Sequence, residues 1–523
     1  MATLSYLTTC LFLLGGCLLP FGPACARDNE FIALCYHEVE SDSTRTLSQT
    51  AIHASDLAAQ FAWLKANGYH PISIEQILNA RTGGKTLPAK AVLLTFDDGK
   101  KDVYTRVFPL LKLFDYPAVI ALVGSWSEVP DGDTVDYDGH RLPRNNFISW
   151  DEANRMQNSG LVEIASHSFD LHRGITANPQ GSKQPAATTR LYSDGKYESD
   201  PDYLERLKKD TLHNRQLLLQ KTGKAPRVMV WPYGRSNLAS QQVAIEAGMP
   251  VNLTLIDGVN TAATPLSQLK RHLIEHSPSL QSFAESIRAV WASDPARSVV
   301  VTPSDWPDIE TGLSAKLDQL QHLAVNVSFI DPRYFSNQAE TILFQGSGRN
   351  TVYDDLNWIS WQIERRAGSA VFVSIPESWL NDDQLLGDLA RHVNFSGVRL
   401  PLAPDDSRVN RIMAILTQWC WPLRIAYAPT TFDSPLPDWN NMRSDDLLVI
   451  PSSSFPNLYI QRHKARQVLV EFNTESESRE KVAADMRQLE ARGFHQFGVS
   501  GMPGNGFEPV WQILSLRSQP LLP

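Results

Sequence analysis

The sequence is poor in cysteine, in net positive charge and in long apolar runs, and each shortage removes a class of protein. Five cysteines in 523 residues are too few for a disulfide-stapled scaffold. Lysine and arginine number 48 against 57 aspartate and glutamate, a net charge of −9. The basic surface that phosphate backbones require is therefore missing, and nucleic acid is not an expected partner. No segment beyond the N-terminus approaches the roughly 18 uninterrupted apolar residues of a membrane helix. Short repeats and low-complexity tracts are also missing. What remains is 42% hydrophobic and 20% charged, a balance that buries large cores. At about 100 to 200 residues per domain the length suggests two large domains or three to four small ones, with barrels favouring two.

Residues 1–26 read as a signal peptide. The apolar stretch Cys10 to Ala24 is broken by Gly15, Gly16, Pro20, Gly22 and Pro23, too short and interrupted to span a bilayer. Two processing sites compete within it. Leu14-Gly15-Gly16-Cys17 reads as a lipobox whose cysteine would be lipidated, and Ala24-Cys25-Ala26 as a cleavage site releasing a soluble chain from Arg27. The lipobox is the preferred reading, with membrane contact expected only through that anchor. Whether Cys35 and Cys420 pair is left open by the sequence.

From Phe31 onward, short β-branched runs alternate with amphipathic stretches, as parallel strands covered by crossover helices do. Seven strands are expected at Phe31–Val39, Val92–Asp98, Pro117–Gly124, Val162–Ser168, Arg227–Trp231, Val251–Ile256 and Arg271–Glu275. Helices are expected over Ser55–Asn67, with Leu57, Phe61 and Leu64 on one face, and over Tyr203–Leu219. This predicts an α/β fold, an incomplete (β/α) barrel over residues 27–295. The Gly-, Ser-, Thr- and Pro-rich insertion Thr176–Pro201 is expected to cover its strand ends. A second (β/α) barrel is expected over 296–523. Its candidate strands are Val299–Thr302, Ala324–Ile330, Thr341–Gln345, Ala370–Ile375, Val398–Leu400, Leu423–Tyr427, Leu447–Ile450, Val468–Phe472 and Gln496–Val499.

Two strand ends carry chemistry. Leu93-Leu94-Thr95-Phe96 runs into Asp97-Asp98-Gly99, and Val162–Ser166 into His167, with His172 one turn beyond. Ligands in α/β folds gather at strand C-termini. Adjacent strand residues point to opposite sides, so both carboxylates reach one site only if the strand ends and twists there, which Gly99 permits. Alone, Asp-Asp-Gly is an ordinary turn and a lone histidine is usually structural. Two imidazoles at one strand end and a double aspartate at another suit a divalent transition metal better. The histidines are five apart, not the spacing of a helical pair, so they converge from a loop.

These residues resemble the polysaccharide deacetylases, a metal-dependent family of carbohydrate esterases. The resemblance rests on Tyr36-His37-Glu38, Thr95-Phe96-Asp97-Asp98-Gly99, Ala165-Ser166-His167 to His172, and Val230-Trp231-Pro232-Tyr233-Gly234. It spans roughly Phe31 to Ala292 and continues faintly to the C-terminus. The five-residue histidine spacing is that of the members acting on poly-β-1,6-N-acetyl-D-glucosamine, and the resemblance implies a place in the biofilm exopolysaccharide export systems of Gram-negative bacteria. The resemblance implies Asp98, His167 and His172 as ligands of zinc, nickel, cobalt or iron, Asp97 as general base and His37 as general acid. It implies an oxyanion donor in the Pro232-Tyr233 turn, with Trp231 and Tyr233 lining an acetyl pocket or stacking on sugars. It also implies a periplasmic, outer-membrane-anchored lipoprotein with an export porin and a polysaccharide synthase as partners. An acidic surface fits such a product, because each deacetylation exposes a cationic amine. The other substrates left open are chitin oligomers and further N-acetylated glycans, and the alternative class is a non-catalytic polysaccharide-binding scaffold.

In fuller family members the C-terminal domain resembles a glycoside hydrolase. Here the strand Asn394–Pro401 lacks an acidic end, and no carboxylate follows before Asp405-Asp406. Glycoside hydrolysis needs a suitably separated carboxylate pair, so this half is expected to bind or guide polymer without cleaving it. Trp358, Trp361, Trp379, Trp419 and Trp421 are its candidate stacking surfaces.

Overall fold

The computed structural model describes residues 29–515 apart from 138, 290–293, 337–338, 350, 352, 433–440, 456–465, 502–509 and 511–513. The signal peptide, the lipobox at Cys17 and the alternative cleavage site lie outside the described residues. All seven expected N-terminal strands form: β1 (Phe31–Tyr36), β2 (Ala91–Phe96), β3 (Ala118–Leu122), β4 (Val162–Ser166), β5 (Val228–Val230), β6 (Val251–Leu253) and β7 (His272–Leu273). They lie in the order β6-β5-β4-β3-β2-β1-β7, every pair parallel. The two ends of this row approach through a single bridge, Leu253 to Leu269, so the barrel is incomplete. A short strand that the sequence did not suggest, His70–Pro71, also pairs with β2.

The two-residue period of a strand explains why β1 to β3 read as continuous apolar runs. Ile32, Leu34, Val92, Leu94, Ile120 and Leu122 pack outward against helices. The alternate residues Phe31, Ala33, Ala91, Leu93, Val119 and Ala121 face inward onto Val228, Val230, Val251 and Leu253. Helix α1 (Ala54–Ala66) buries Leu57, Phe61 and Leu64 in the outer layer, as its spacing predicts. Helix α2 (Asp200–Thr222) starts at a Ser199 cap and stops at Gly223 in the left-handed conformation.

The second half is a closed barrel of eight parallel strands: β8 (Arg297–Val301), β9 (Val327–Ile330), β10 (Ala370–Ser374), β11 (Gly397–Leu400), β12 (Arg424–Tyr427), β13 (Leu447–Pro451), β14 (Val468–Asn473) and β15 (Gln496–Ser500). One expected strand is not among them. Thr341 and Ile342 instead end an antiparallel hairpin, Arg333–Ser336 with Ala339–Ile342, while Leu343 and Phe344 pack into the core beyond it. Burial of Ile342, Leu343 and Phe344 mimics a barrel strand, but Tyr334 and Thr341 pair locally instead.

The insertion Thr176–Pro201 faces the second barrel, a correction to its expected place over the strand ends. The Gln184 amide donates to Asn357 Oδ1 (2.9 Å) and Asn357 Nδ2 donates to the Ala177 carbonyl (3.1 Å). Tyr197 donates to Asp354 (2.7 Å), Gln180 to Asp355 (2.6 Å), and Arg391 pairs with Asp200 (2.9 Å). Arg190 lies between the rings of Tyr203 and Trp419. Cys35 and Cys420 are both free thiols. Among the described residues no helix is long and apolar enough to cross a membrane.

Candidate active site

The strand parity that sends Ala91 and Leu93 inward continues through Thr95 to Asp97, so β2 aims a carboxylate into the barrel interior. A charge buried there needs a partner. The partner is Arg271, at the start of the segment leading into β7 and fully buried. It grips both Asp97 oxygens at 2.8 and 2.9 Å and also donates to Thr95 Oγ1 (3.0 Å) and the Thr254 carbonyl (2.9 Å). Burial is the largest influence and pushes the Asp97 pKa up, but the Arg271 charge and hydrogen bonds, with the nearby His167 and His37, together outweigh it and the net shift is downward.

Asp98 reaches the same site by leaving the strand. The Asp97 N–H still donates to the Tyr36 carbonyl (3.0 Å), but Asp98 takes φ +71° and Gly99 φ +64°, and the Gly99 N–H turns back to the Asp97 carbonyl (2.9 Å). This tight turn brings two neighbouring carboxylates to one cleft, with strain stored at a non-glycine position.

Asp98 Oδ1 lies 3.4 Å from His167 Nε2 and 3.3 Å from His172 Nε2, and all three residues are buried. The other oxygen accepts a hydrogen bond from the Tyr137 hydroxyl (2.6 Å). The His167 Nδ1 is 2.7 Å from the Val230 carbonyl, a pure acceptor, so Nδ1 carries the proton and Nε2 presents its lone pair. That lone pair faces the Asp98 oxygen, which receives no hydrogen bond of normal geometry. Two acceptors turned toward each other, with a second imidazole beside them, form a donor set that fits a divalent cation. The three ligand atoms lie within 4.8 Å of one another. Burial raises the Asp98 pKa, but imidazoles carrying a positive charge here more than reverse this and hold it well below the usual carboxylate range, the direction in which a bound cation would also act.

Cys35, His37 and Asp97 also bring ligand atoms within 4.8 Å of one another. Arg271 occupies both oxygens of that aspartate with a fixed positive charge, which opposes a second cation there. The set reads better as an acid and a base side by side. The Cys35 thiol points at Asp97 Oδ2 (3.5 Å), and burial drives its pKa well above the ordinary value, so it acts as a weak donor and not as a thiolate.

Tyr233 sits at φ +57° with its ring 4.5 Å from that of His172, and it supplies the only N–H of the Pro232-Tyr233 pair. Gly234 must be glycine: at φ +66°, a Cβ would lie 2.4 Å from Leu255 Cβ. Trp231 corrects the sugar-stacking expectation. Its indole is 1% exposed, donates to Asn252 Oδ1 (2.9 Å) and packs with Leu171, Met229 and Val243, leaving no free face. The sequence reading missed Arg271 and Tyr137. Arg271 sits in a Lys-Arg-His run that resembles a solvated basic patch, and Tyr137 on a separate hairpin, Thr134–Pro143. In the second barrel, Arg399 of β11 is paired with Glu471 of β14 (2.7 Å), and Asp406 is held by Arg408 (2.8 Å). Among the expected stacking residues there, Trp379 is fully buried and Trp419 lies at the seam with the first domain.

Residues 84–251 match the family model described as polysaccharide deacetylase. The poly-β-1,6-N-acetyl-D-glucosamine N-deacetylase of Escherichia coli (strain K12) is 34% identical over 377 residues, covering 68% of this chain and 54% of that protein. The chain thus spans about half the length of the curated relatives it matches first. A solved de-N-acetylase from Aggregatibacter actinomycetemcomitans shares 38% identity over 49% of this chain and 99% of its own, with a TM-score of 0.47. The deacetylase domain from Bordetella bronchiseptica shares 41% over 47% and 96%, with a TM-score of 0.43. The family match takes in Asp97, Asp98, His167, His172 and the Pro232-Tyr233 turn and leaves His37 and Arg271 outside it, and residues 84–251 are a polysaccharide deacetylase domain.

Proposed function

We propose that the protein removes N-acetyl groups from poly-β-1,6-N-acetyl-D-glucosamine during its export in biofilm formation, in a metal-dependent hydrolysis. The observation that carries this is the convergence of Asp98, His167 and His172 beside a separate, arginine-held Asp97, from the ends of two parallel strands, β2 and β4, that flank β3. A divalent metal held by that triad supplies Lewis acidity to the acetamide carbonyl and lowers the pKa of water. The two-nitrogen, one-oxygen donor set suits zinc, nickel, cobalt or iron.

The chain's own residues carry the protons. Asp97, kept ionised by Arg271, takes a proton from the attacking water as its oxygen adds to the acetyl carbon. The Tyr233 N–H stabilises the developing oxyanion. His37 gives a proton to the amine nitrogen as the C–N bond breaks, so acetate and a free glucosamine amine leave. The acidic surface attracts that cationic product weakly and in a salt-sensitive way.

The second barrel binds or guides the deacetylated polymer without cleaving it. In support, Glu471 is neutralised by Arg399 and Asp406 by Arg408, whereas glycosidic cleavage needs two available carboxylates. The reading extends to a periplasmic location with a lipid anchor at Cys17, and to an export porin and a synthase as partners.

The test is release of acetate and free amine from β-1,6-linked N-acetylglucosamine oligomers, with chitin oligomers alongside, under chelation and after metal is restored. Chelator should abolish release and metal restore it. Asp97→Asn should lower kcat by about 10²–10⁴-fold with metal content unchanged, and Asp98→Ala should lose both. Metal and polymer binding without turnover would point to a scaffold, and turnover indifferent to chelator would refute the mechanism.

A further inference from the structure

The two histidines of the triad are separated by four residues that belong to no helix or strand, so something else must fix their spacing. The loop turns at Ser168, a non-glycine residue with φ +68°, whose hydroxyl accepts from the Leu171 N–H (3.1 Å). One side of the loop is held through its carbonyls: Gly124 N–H donates to the Ser168 carbonyl (3.1 Å) and Ser125 N–H to that of Phe169 (2.9 Å). The opposite side is held through its amides. Asp210, on α2, accepts the Phe169 N–H on Oδ1 (2.9 Å) and the Asp170 N–H on Oδ2 (2.6 Å).

The same helix face continues the grip. His213, one turn on from Asp210, stacks on the Phe169 ring at 3.9 Å. The next residue, Asn214, is fully buried and donates to the Ser166 hydroxyl (2.7 Å) at the end of β4. Gly124 allows the close approach, since a Cβ there would lie 2.8 Å from the Phe169 ring and 2.2 Å from Asn214 Oδ1. Asp210 touches no residue of the triad. It binds the middle of the segment whose two ends are His167 and His172.

The geometry points to Asp210 as a positioning residue for the metal site: its carboxylate clamps two consecutive amides and thereby sets where His172 stands relative to His167. This rests on the metal reading proposed above. Burial raises the Asp210 pKa to about 6, which leaves it an ionised double acceptor at neutral pH. An asparagine at this position has the same shape but one acceptor oxygen, and its NH₂ would face an N–H donor. Groups that orient metal ligands typically contribute about 10–100-fold in affinity or activity when lost.

The experiment uses the full chain stripped of metal and titrated with cobalt(II) chloride, read by visible absorption of the bound ion. Asp210→Asn should weaken cobalt binding by about 10–100-fold, Asp210→Glu should recover a substantial part, and the unfolding midpoint of the metal-free protein should stay close to wild type. Deacetylation by Asp210→Asn should return toward the wild-type kcat at saturating cobalt with KM unchanged. Equal cobalt affinity in wild type and Asp210→Asn would overturn this inference alone. Weakened binding matched by an equal loss of metal-free stability, with no recovery in Asp210→Glu, would reduce Asp210 to a structural residue and also overturn it. A wild-type chain that binds no cobalt would overturn the metal reading and this inference together.

Discussion

Asp97 and Asp98 share a side-chain type, a turn and a burial class, yet their surroundings differ in the way the two proposed roles require. Asp98 faces two imidazoles and a phenol, and Asp97 faces a guanidinium. The arginine makes Asp97 a testable case of linkage. The Asp97 pKa is lowered in the folded protein, so the stability from this pair is complete above the ordinary carboxylate pKa and is lost as pH falls through the lowered value. Arg271→Met should leave a buried, unpaired carboxylate, costing roughly 3–5 kcal/mol at neutral pH, and urea unfolding should show the deficit shrinking toward acid pH. The same substitution removes what holds the Asp97 pKa down, so the acid limb of the pH–rate profile should move to higher pH. An unmoved limb would separate Asp97 from the rate. The triad was legible at this scale because strand-end carboxylates and histidines carry a local signature. Arg271 was not, because its partner lies 174 residues away and nothing in its neighbours marks it as buried.

Among the elements, turns matter as much as strands. Three non-glycine positions with left-handed backbone, Asp98, Ser168 and Tyr233, fall at the ends of β2, β4 and β5, each next to a site residue or being one. The turn after β5 is the most exposed to a small change. Gly234→Ala would add a methyl 2.6 Å from the Leu255 backbone nitrogen at a φ that disfavours alanine, costing on the order of 1–3 kcal/mol and pushing Tyr233 off its place beside His172. Deacetylation should fall with the thermal midpoint, and because the triad lies on other turns, cobalt binding should fall less than activity. Periodicity revealed the seven main strands of the first barrel, though not the short His70–Pro71 strand, and eight of nine candidates in the second. Thr341–Gln345 failed because burial looks alike in a barrel strand and in a local hairpin, and only the pairing partner tells them apart.

At the scale of the whole molecule, the two halves are joined by directional contacts as well as by the covalent chain. Gln184 is buried against Asn357, and Tyr197 donates to a largely buried Asp354 whose pKa burial raises. Gln184→Ala with Tyr197→Phe would strand buried polar atoms at about 1–3 kcal/mol each. Calorimetry should then resolve two unfolding transitions where the wild type shows one, while deacetylation of short oligomers is largely retained. A single transition in the double variant would mean the seam is held elsewhere. None of this could be read from the sequence, since the partners are separated by 157 to 175 positions and are ordinary polar residues.

The insertion between β4 and α2 has a bearing on ancestry. Gln180, Gln184, Tyr197 and Asp200 are spent on the second barrel, so a deacetylase that lacked the barrel would expose them to no purpose and gain little from the added length. The two features should therefore be inherited together: chains that have lost one should, across the family, be shortened or scrambled in the other.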